Sequence, residues 1–414
     1  MSRLEELIEQ LCPDGVEYRT IGEIAIDIFR GTGIKREQVT ETGTPCVRYG
    51  EIYTTYGVWF DSCVSHTDES AITNKKYFEH GDILFAITGE SVEDIAKCSA
   101  YIGKERCLAG GDIVVLRHNQ DPKYLSYALS TTEAQKQKSK GKVKSKVVHS
   151  SVPAIKELVV PVPPLEVQRE IVRILDQFTE LTAELTAELI ARKKQYEYYR
   201  DVLLKSSPNS IEMQFGELFR FQNGFAFKSN LFKDQGEPIL RITNIKENRI
   251  DESGLAYFDP MDYKENLDSF VVEPGDVVVA MSGATTGKIG VNTTERNFYL
   301  NQRVGKFVPD ENIILKRYLY HLLLQNSNKL LEISQGSGAQ PNLSSEKLKK
   351  LTAKIPPISE QEKVVSLLDR FDAFCNDLTS GLPAEIEARR KQYEYYRDKL
   401  LTFKKKASDS FRGE

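Results

Sequence analysis

No apolar run in these 414 residues approaches the ~20 needed to span a bilayer, and no signal-peptide pattern opens the chain. Neither a membrane protein nor an exported one is expected. Cysteine is sparse: Cys12, Cys46, Cys63, Cys98, Cys107 and Cys375 contain no C-x-x-C pair, which reads as reduced thiols in a cytosolic protein. The histidines (His66, His80, His118, His149, His321) form no H-x-x-x-H, so no zinc site is credible and no metal is expected. There is no G-x-S-x-G elbow, no E-x-K string of the kind a common nuclease motif requires, and no Asn-Pro-Pro-Tyr-like motif of amino-methyltransferases. SGATTGKIG (282–290) resembles a phosphate loop, but it is one residue short of the Walker spacing and Ile289 replaces the Mg²⁺-binding Ser or Thr. It reads better as a turn. Together these absences point away from a catalyst acting by itself.

An excess of one charge is missing too. The net charge is −4, so any nucleic-acid surface must come from local clustering. Composition (40% hydrophobic, 28% charged) is that of a globular protein, and the length predicts at least two domains.

What the chain has is a repeat. ARKKQYEYYRDVLL (191–204) returns as ARRKQYEYYRDKLL (388–401), changed at two positions only. Upstream of each copy stands a Pro-Pro element, VPVPPLEVQREIVRILDQF and AKIPPISEQEKVVSLLDRF, which pairs Gln168 with Gln361, Asp176 with Asp369 and Phe178 with Phe371. Further upstream TPCVRYGEI (44–52) matches EPILRITNI (237–245), pairing Arg48 with Arg241. EHGDILFAITG (79–89) matches EPGDVVVAMSG (273–283), and the paired Gly-Asp turns in it need no catalytic explanation. Two copies of one unit follow, each a mixed domain and then a long helix. Short apolar runs bounded by Gly, Asp and Pro predict strands, and 123–136 and 314–333 predict short helices. After the Pro-Pro stops, apolar residues recur at three and four. Ile171, Ile174, Phe178, Leu181, Leu185 and Leu189 lead to Tyr196, Tyr199 and Leu203; Val364, Leu367, Phe371 and Phe374 lead to Tyr393, Tyr396 and Leu400. Two such stripes favour pairing with each other as a coiled coil, the first a rod roughly 57 Å long and the second carrying four extra residues, about one turn. Gly381 and Pro383 should kink or break the second.

The helices agree almost residue for residue while the domains share only a skeleton. If helices hold a partner and domains read a ligand, one partner is held twice and two ligands are read; recent duplication explains the likeness of the helices equally. In the first domain Arg30, Lys35, Arg36 and Arg48 precede a run in which Lys136, Lys138, Lys140, Lys142, Lys144 and Lys146 alternate with small or polar residues. That run is suited to a phosphate backbone, or is a solvated loop. The second domain offers Gln222, Asn223, Arg241, Asn244, Lys288, Gln302 and Arg303, side chains that read base edges. For both paired arginines, Arg48 and Arg241, a buried structural role is the competing reading. The repeated segments offer Arg192, Tyr196, Tyr198, Tyr199 and Arg200, and again Arg389, Tyr393, Tyr395, Tyr396 and Arg397, as partner contacts. For the seam tyrosines Tyr196, Tyr199, Tyr393 and Tyr396, packing of the two helices on each other competes with that role.

Two variable domains, each closed by Pro-Pro-x-x-x-Gln, a long helix and RKQYEYYRD, resemble the specificity subunit of type I restriction–modification systems over essentially the whole chain. The second half matches better, through QGSGAQPNLSSEKLKKLTAKIPPISEQ; the first replaces the Gln-Pro-Asn-Leu stretch with GKVKSKVVHSSVPAIKELVVPVPPLEVQ. The resemblance implies an α+β chain with two β-rich target recognition domains (1–160 and 207–353) separated by two long antiparallel coiled-coil helices (161–206 and 354–406), a pseudo-two-fold duplication, and a tail at 407–414. It also implies double-stranded DNA as ligand, with each domain reading half of an asymmetric site. Two methyltransferase subunits and motor-nuclease subunits would be partners, and S-adenosylmethionine, ATP and Mg would bind to those subunits rather than to this chain. The implied setting is the prokaryotic cytoplasm. A coiled-coil assembly protein with protein-binding domains is the alternative, and an enzyme with its site between the domains a third.

Overall fold

The structure, a computed structural model, describes residues 2–142, 147–205, 209–246, 248–334, 341–377 and 380–406. It divides into two compact units, Met1–Glu184 with Glu387–Glu414, and Leu185–Ile386. Each unit therefore joins a β-rich domain and the start of the helix that follows it to the distal part of the other copy's helix.

In unit 1 a five-stranded sheet runs in the order Ala25–Arg30, Ile113–His118, Ile83–Ala86, Cys98–Tyr101, Trp59–Phe60. A second five-stranded sheet is built around Thr44–Val47 and Cys107–Ala109. Unit 2 repeats this with six strands, Phe219–Asn223, Val304–Pro309, Val277–Ala280, Ile289–Val291, Arg249–Ile250 and Ile245–Lys246, and a four-stranded sheet around Glu237–Leu240. The matched runs ILFA and VVVA are fully buried central strands, as their unbroken apolar character predicts. In both units the first and last strands of the domain pair antiparallel: Tyr18–Thr20 with Val159–Pro161, and Ile211–Gln214 with Thr352–Ile355.

The Gly-Asp turns have a structural explanation. Gly81 and Gly275 have φ of +93° and +83°, a region open to glycine, and the following aspartate accepts from the backbone N–H of Glu79 (2.9 Å) or Glu273 (3.0 Å). Burial pushes the Asp82 carboxyl up to about 6, against the pull of the Glu79 N–H and Arg117. A carboxyl raised on folding stabilises below its unfolded value near 4, and that contribution is lost as pH rises through about 6. Asp82→Asn keeps the acceptor and removes the buried charge. Urea titration is expected to show no loss at pH 7, a gain on the order of 1 kcal/mol, and a flatter profile between pH 4 and 6.

The Pro-Pro-x-x-x-Gln element anchors helix to domain. Gln168 and Gln361 are both 0% exposed. Gln168 Oε1 accepts from Asp121 N (3.0 Å) and its Nε2 donates to Pro163 O and the Gln120 side chain (both 2.8 Å). Gln361 accepts from Leu315 N (2.9 Å) and donates to Ile313 O (2.8 Å) and Pro356 O (2.9 Å). About two turns further on, Asp176 takes Lys123 (2.7 Å) and the Tyr127 hydroxyl (2.7 Å), while Asp369 takes Arg317 (2.6 Å) and His321 Nε2 (2.8 Å).

The long helices follow expectation in the break of the second and depart from it in the face that one segment buries. Leu165–Lys205 is one helix of 41 residues, whereas its counterpart breaks into Ile358–Asn376 and Leu382–Leu400. At the break a Cβ on Gly381 would lie 2.7 Å from Ala373 O and 2.8 Å from Phe374 O, so glycine is needed there. In Ile358–Asn376 the buried face is Gln361, Val364, Leu368, Asp372 and Cys375, while Leu367 and Phe374 are exposed. The Leu367–Leu368 doublet allows either register, and the anchoring Gln361 decides it. The short helices form as Pro122–Leu129 with Thr132–Ser139, and Lys316–Gln325 with Ser327–Ser334.

Candidate nucleic-acid interface

Both domains carry several of the expected polar side chains at one end of the main sheet, on a shared backbone scaffold. In unit 1, Arg30 ends its strand opposite Val114; in unit 2, Asn223 ends the matching strand opposite Gly305. The next residue is glycine in both, Gly31 and Gly224. A Cβ there would run into the Gly110 or Asn301 carbonyl, so the close approach of two turns demands glycine. Across this contact, Arg30 forms an ion pair with Asp112 in unit 1. In unit 2 exposed Asn223, Gln302 and Arg303 occupy that end. The turn 282–288 joins them, because Met281 N donates to Arg303 O (2.8 Å) and Ala280 N to Lys288 O (2.9 Å); the Lys288 side chain is exposed. Gln222 is half-buried, accepts from Arg220 and donates to Asn223 O.

The paired arginines also share a scaffold. Arg48 N donates to Glu51 Oε2 (3.0 Å) and Arg241 N to Asn244 Oδ1 (3.2 Å), each closing a turn. Buried Glu51 also holds the Arg48 guanidinium at 3.1 Å, leaving that side chain 35% exposed. With Arg36, Arg48 lines a cleft of about 540 Å³ bounded by Gly33, Tyr49, Gly50 and Asp112. Lys35 is exposed beside it. Asn244 is neutral, so Arg241 has no carboxylate among the described residues; its Nη2 donates to Gly254 O (2.6 Å) and its Nε is buried without a partner. Asn244 itself is 1% exposed and donates to Asp251 O and Ser253 O (both 3.1 Å). Its amide shapes the loop and does not face a ligand, contrary to its place among the base-reading candidates.

The lysine run is not a uniform basic face. Lys138 is buried, Lys142 donates to His149 O (2.7 Å), and Lys144 lies outside the described residues.

The repeated tyrosine segments resolve into an inner and an outer set. Tyr196 is 5% exposed, with its hydroxyl on His321 Nδ1 (2.8 Å); Tyr393 packs into the unit 1 core with its ring 6.3 Å from Tyr127. Arg200 lies over Tyr196 and Arg397 over Tyr393, both at 5.6 Å, and they pair with Asp201 and Asp398. These four residues, expected at a partner surface, are turned inward because each ring fills its own unit. Tyr199 stacks on Phe371 (5.7 Å) and Tyr396 on Phe178 (5.5 Å), so in each unit one copy's tyrosine meets the other copy's helix. Tyr198 and Tyr395 remain 65% and 62% exposed, with Arg192 exposed and Arg389 half-buried nearby in sequence.

A model of the type I restriction modification DNA specificity domain matches residues 13–193 and again 209–388. The type I restriction enzyme EcoR124I/EcoR124II specificity subunit of Escherichia coli is 35% identical over 260 residues, 59% of this chain and 61% of that protein. The chain thus spans about three fifths of that relative. The MjaVIII specificity subunit of Methanocaldococcus jannaschii is 25% identical over 349 residues, 78% of this chain and 77% of that one. In fold, the S subunit of a type I restriction–modification system from M. genitalium superposes with a TM-score of 0.54 at 16% identity, covering 94% and 96% of the two chains. A chain of a type I system solved for its assembly and conformational transition gives 0.59 at 16%, covering 94% and 97%.

Proposed function

This chain belongs to the type I restriction–modification DNA specificity family, and we propose that it is the subunit that selects the DNA sequence for such a complex. Its two domains would each read one half of an asymmetric bipartite site. The observation that carries this reading is the pair of sheet ends: one glycine scaffold, with Arg30 and Asp112 on it in unit 1 and Asn223 and Arg303 in unit 2. Equal scaffolds with unequal side chains suit equal docking on unequal sequences. Arg36, Lys35 and Arg48 extend the unit 1 surface, and Gln222, Arg241, Lys288 and Gln302 that of unit 2. Arginine and asparagine can read guanine and adenine edges in the major groove, and lysines hold phosphates.

Residues 1–160 and 207–353 are the proposed recognition domains, and 161–206 and 354–406 the proposed spacers that fix the distance between half-sites. Tyr198, Tyr395 and the outer edges of Tyr199 and Tyr396 are the proposed seats of two methyltransferase subunits, with Arg192 and Arg389 beside them. Chemistry would reside on those subunits and on the motor-nuclease subunits, which would bring S-adenosylmethionine, ATP and Mg. This chain would supply binding energy and geometry without catalysis of its own, in the prokaryotic cytoplasm.

Co-expression with the cognate methyltransferase subunit, followed by single-molecule sequencing for modified adenines, tests this. The expected result is one asymmetric two-part motif. Asn223→Ala with Arg303→Ala should relax or abolish one half of it and leave the other half intact, each lost base contact costing ~1–3 kcal/mol. No motif from an active, soluble complex, or equal damage to both halves, would refute the assignment.

A further inference from the structure

Away from the sheet end, unit 1 contains a cavity of about 340 Å³ between the helix Thr132–Ser139, the turn after it and residues 154–159. Lys138, Lys140 and Lys142 all line it. Lys138 is 5% exposed, and its ammonium donates only to Cys98 Sγ, at 3.9 Å; no carboxylate pairs with it among the described residues. Arg397 adds repulsion from nearby, and burial holds the Lys138 pKa below the ordinary lysine value. A buried ammonium without a counter-charge is strongly disfavoured.

Packing does not require a lysine here. The matching helix of unit 2, Ser327–Ser334, ends on Ile333–Ser334 where unit 1 has Lys138–Ser139, and Ile333 packs against the unit 2 core. The scaffold therefore accepts an apolar side chain at this position. The rest of the lining leaves positive charge uncompensated. Gln137 is engaged in both directions by the Val159 backbone (2.8 and 3.1 Å). Lys142 donates one N–H to His149 O and has two more to offer, and Lys140 is exposed without an ion pair among the described residues. Glu157 is the one carboxylate in the lining.

We propose that this cavity binds a phosphate-type oxyanion, with Lys138 as the buried counter-charge and Lys140 and Lys142 closing on it from the rim. Three ammonium groups are compact point charges suited to a multiply charged tetrahedral anion. That chemistry is shared by a DNA backbone phosphate and by a free phosphate group. The proposal does not depend on the DNA reading of the sheet ends.

The test is titration of the full chain with inorganic phosphate at an ionic strength fixed with chloride, read by calorimetry and thermal melting. Saturable stabilisation of the wild type is expected. Lys138→Met, which keeps the volume, should bind phosphate at least about tenfold more weakly, the loss of one charge-assisted hydrogen bond. Without phosphate it should melt no lower than the wild type. Lys140→Ala, at an exposed position, should also weaken binding. Affinity for a non-target DNA duplex identifies the source: a loss in Lys140→Ala marks a backbone-phosphate site, and no change marks a free-anion site, both supporting the proposal. No phosphate response in the wild type, or an equal one in Lys138→Met, overturns it.

Discussion

Replacing Gln361 by leucine is expected to destabilise unit 2 by roughly 3–5 kcal/mol, a very large effect for one substitution. The amide is fully buried and satisfies three backbone groups at once: Leu315 N, Ile313 O and Pro356 O. Leucine fills the space and satisfies none of them, leaving a donor and two acceptors buried; each unsatisfied group costs about 1–3 kcal/mol. Gln168→Leu in unit 1 should cost less, because one of its three partners is the Gln120 side chain, which can turn to water. Urea denaturation followed by near-ultraviolet circular dichroism checks both. The same modest loss in each variant would show that the motif does not anchor helix to domain. If the anchor is real, the substitutions should also weaken sequence recognition, since the helix would no longer hold its domain at a fixed angle.

Asp369→Ala should be the second large loss, on the order of 2–4 kcal/mol, allowing for screening of a carboxylate 35% exposed. It strips Arg317 of its closer partner, leaving Asp372 at 3.1 Å, and removes the acceptor of His321 Nε2. Burial pushes the Asp369 carboxyl up, but the hydrogen bonds from His321 and Arg317 outweigh it and hold it below the usual range. Burial likewise holds His321 below the ordinary imidazole value, against the opposing pull of Asp369. Both shifts have one sign for stability. A depressed folded value means the unfolded state takes up protons first, so unit 2 weakens as pH falls, from about 6.5 downward for His321 and from about 3.8 downward for Asp369. His321→Gln should flatten the stability profile between pH 7 and 5, measured by urea titration at intervals across that range. A wild-type profile without slope there would mean that the imidazole is not held neutral.

The second effect arises at a position where the copies use different chemistry for one task. Tyr127 and His321 both bond to the helix aspartate, and Lys123 and Arg317 both pair with it. The pairing of Asp176 with Asp369 and of Gln168 with Gln361 is legible in the sequence, because each stands at a set distance from a Pro-Pro stop. What those side chains hold is not legible, since their partners lie about fifty residues upstream and meet them only through the fold. The same applies to the paired arginines. Arg48 and Arg241 align by eye, but the carboxylate that restrains one, and the amide that stands in its place beside the other, matter only once the turn closes.

The sequence by itself determined the duplication, the α+β character, the buried central strands and the break at Gly381. Each rests on local information: an alternation, an unbroken apolar run, a residue with one permitted backbone geometry. Tertiary structure alone decided which tyrosines face inward, that Asn244 is a structural amide, which face of Ile358–Asn376 is buried, and that Lys138 leaves the lysine run for the interior. The physical reason is rotational. A helical stripe specifies a face only to within about one residue, or roughly 100°, and a lysine in an alternating run carries no mark of burial. Packing against an anchored partner removes that freedom, and only there does one tyrosine of each repeat become core while its neighbour stays on the surface.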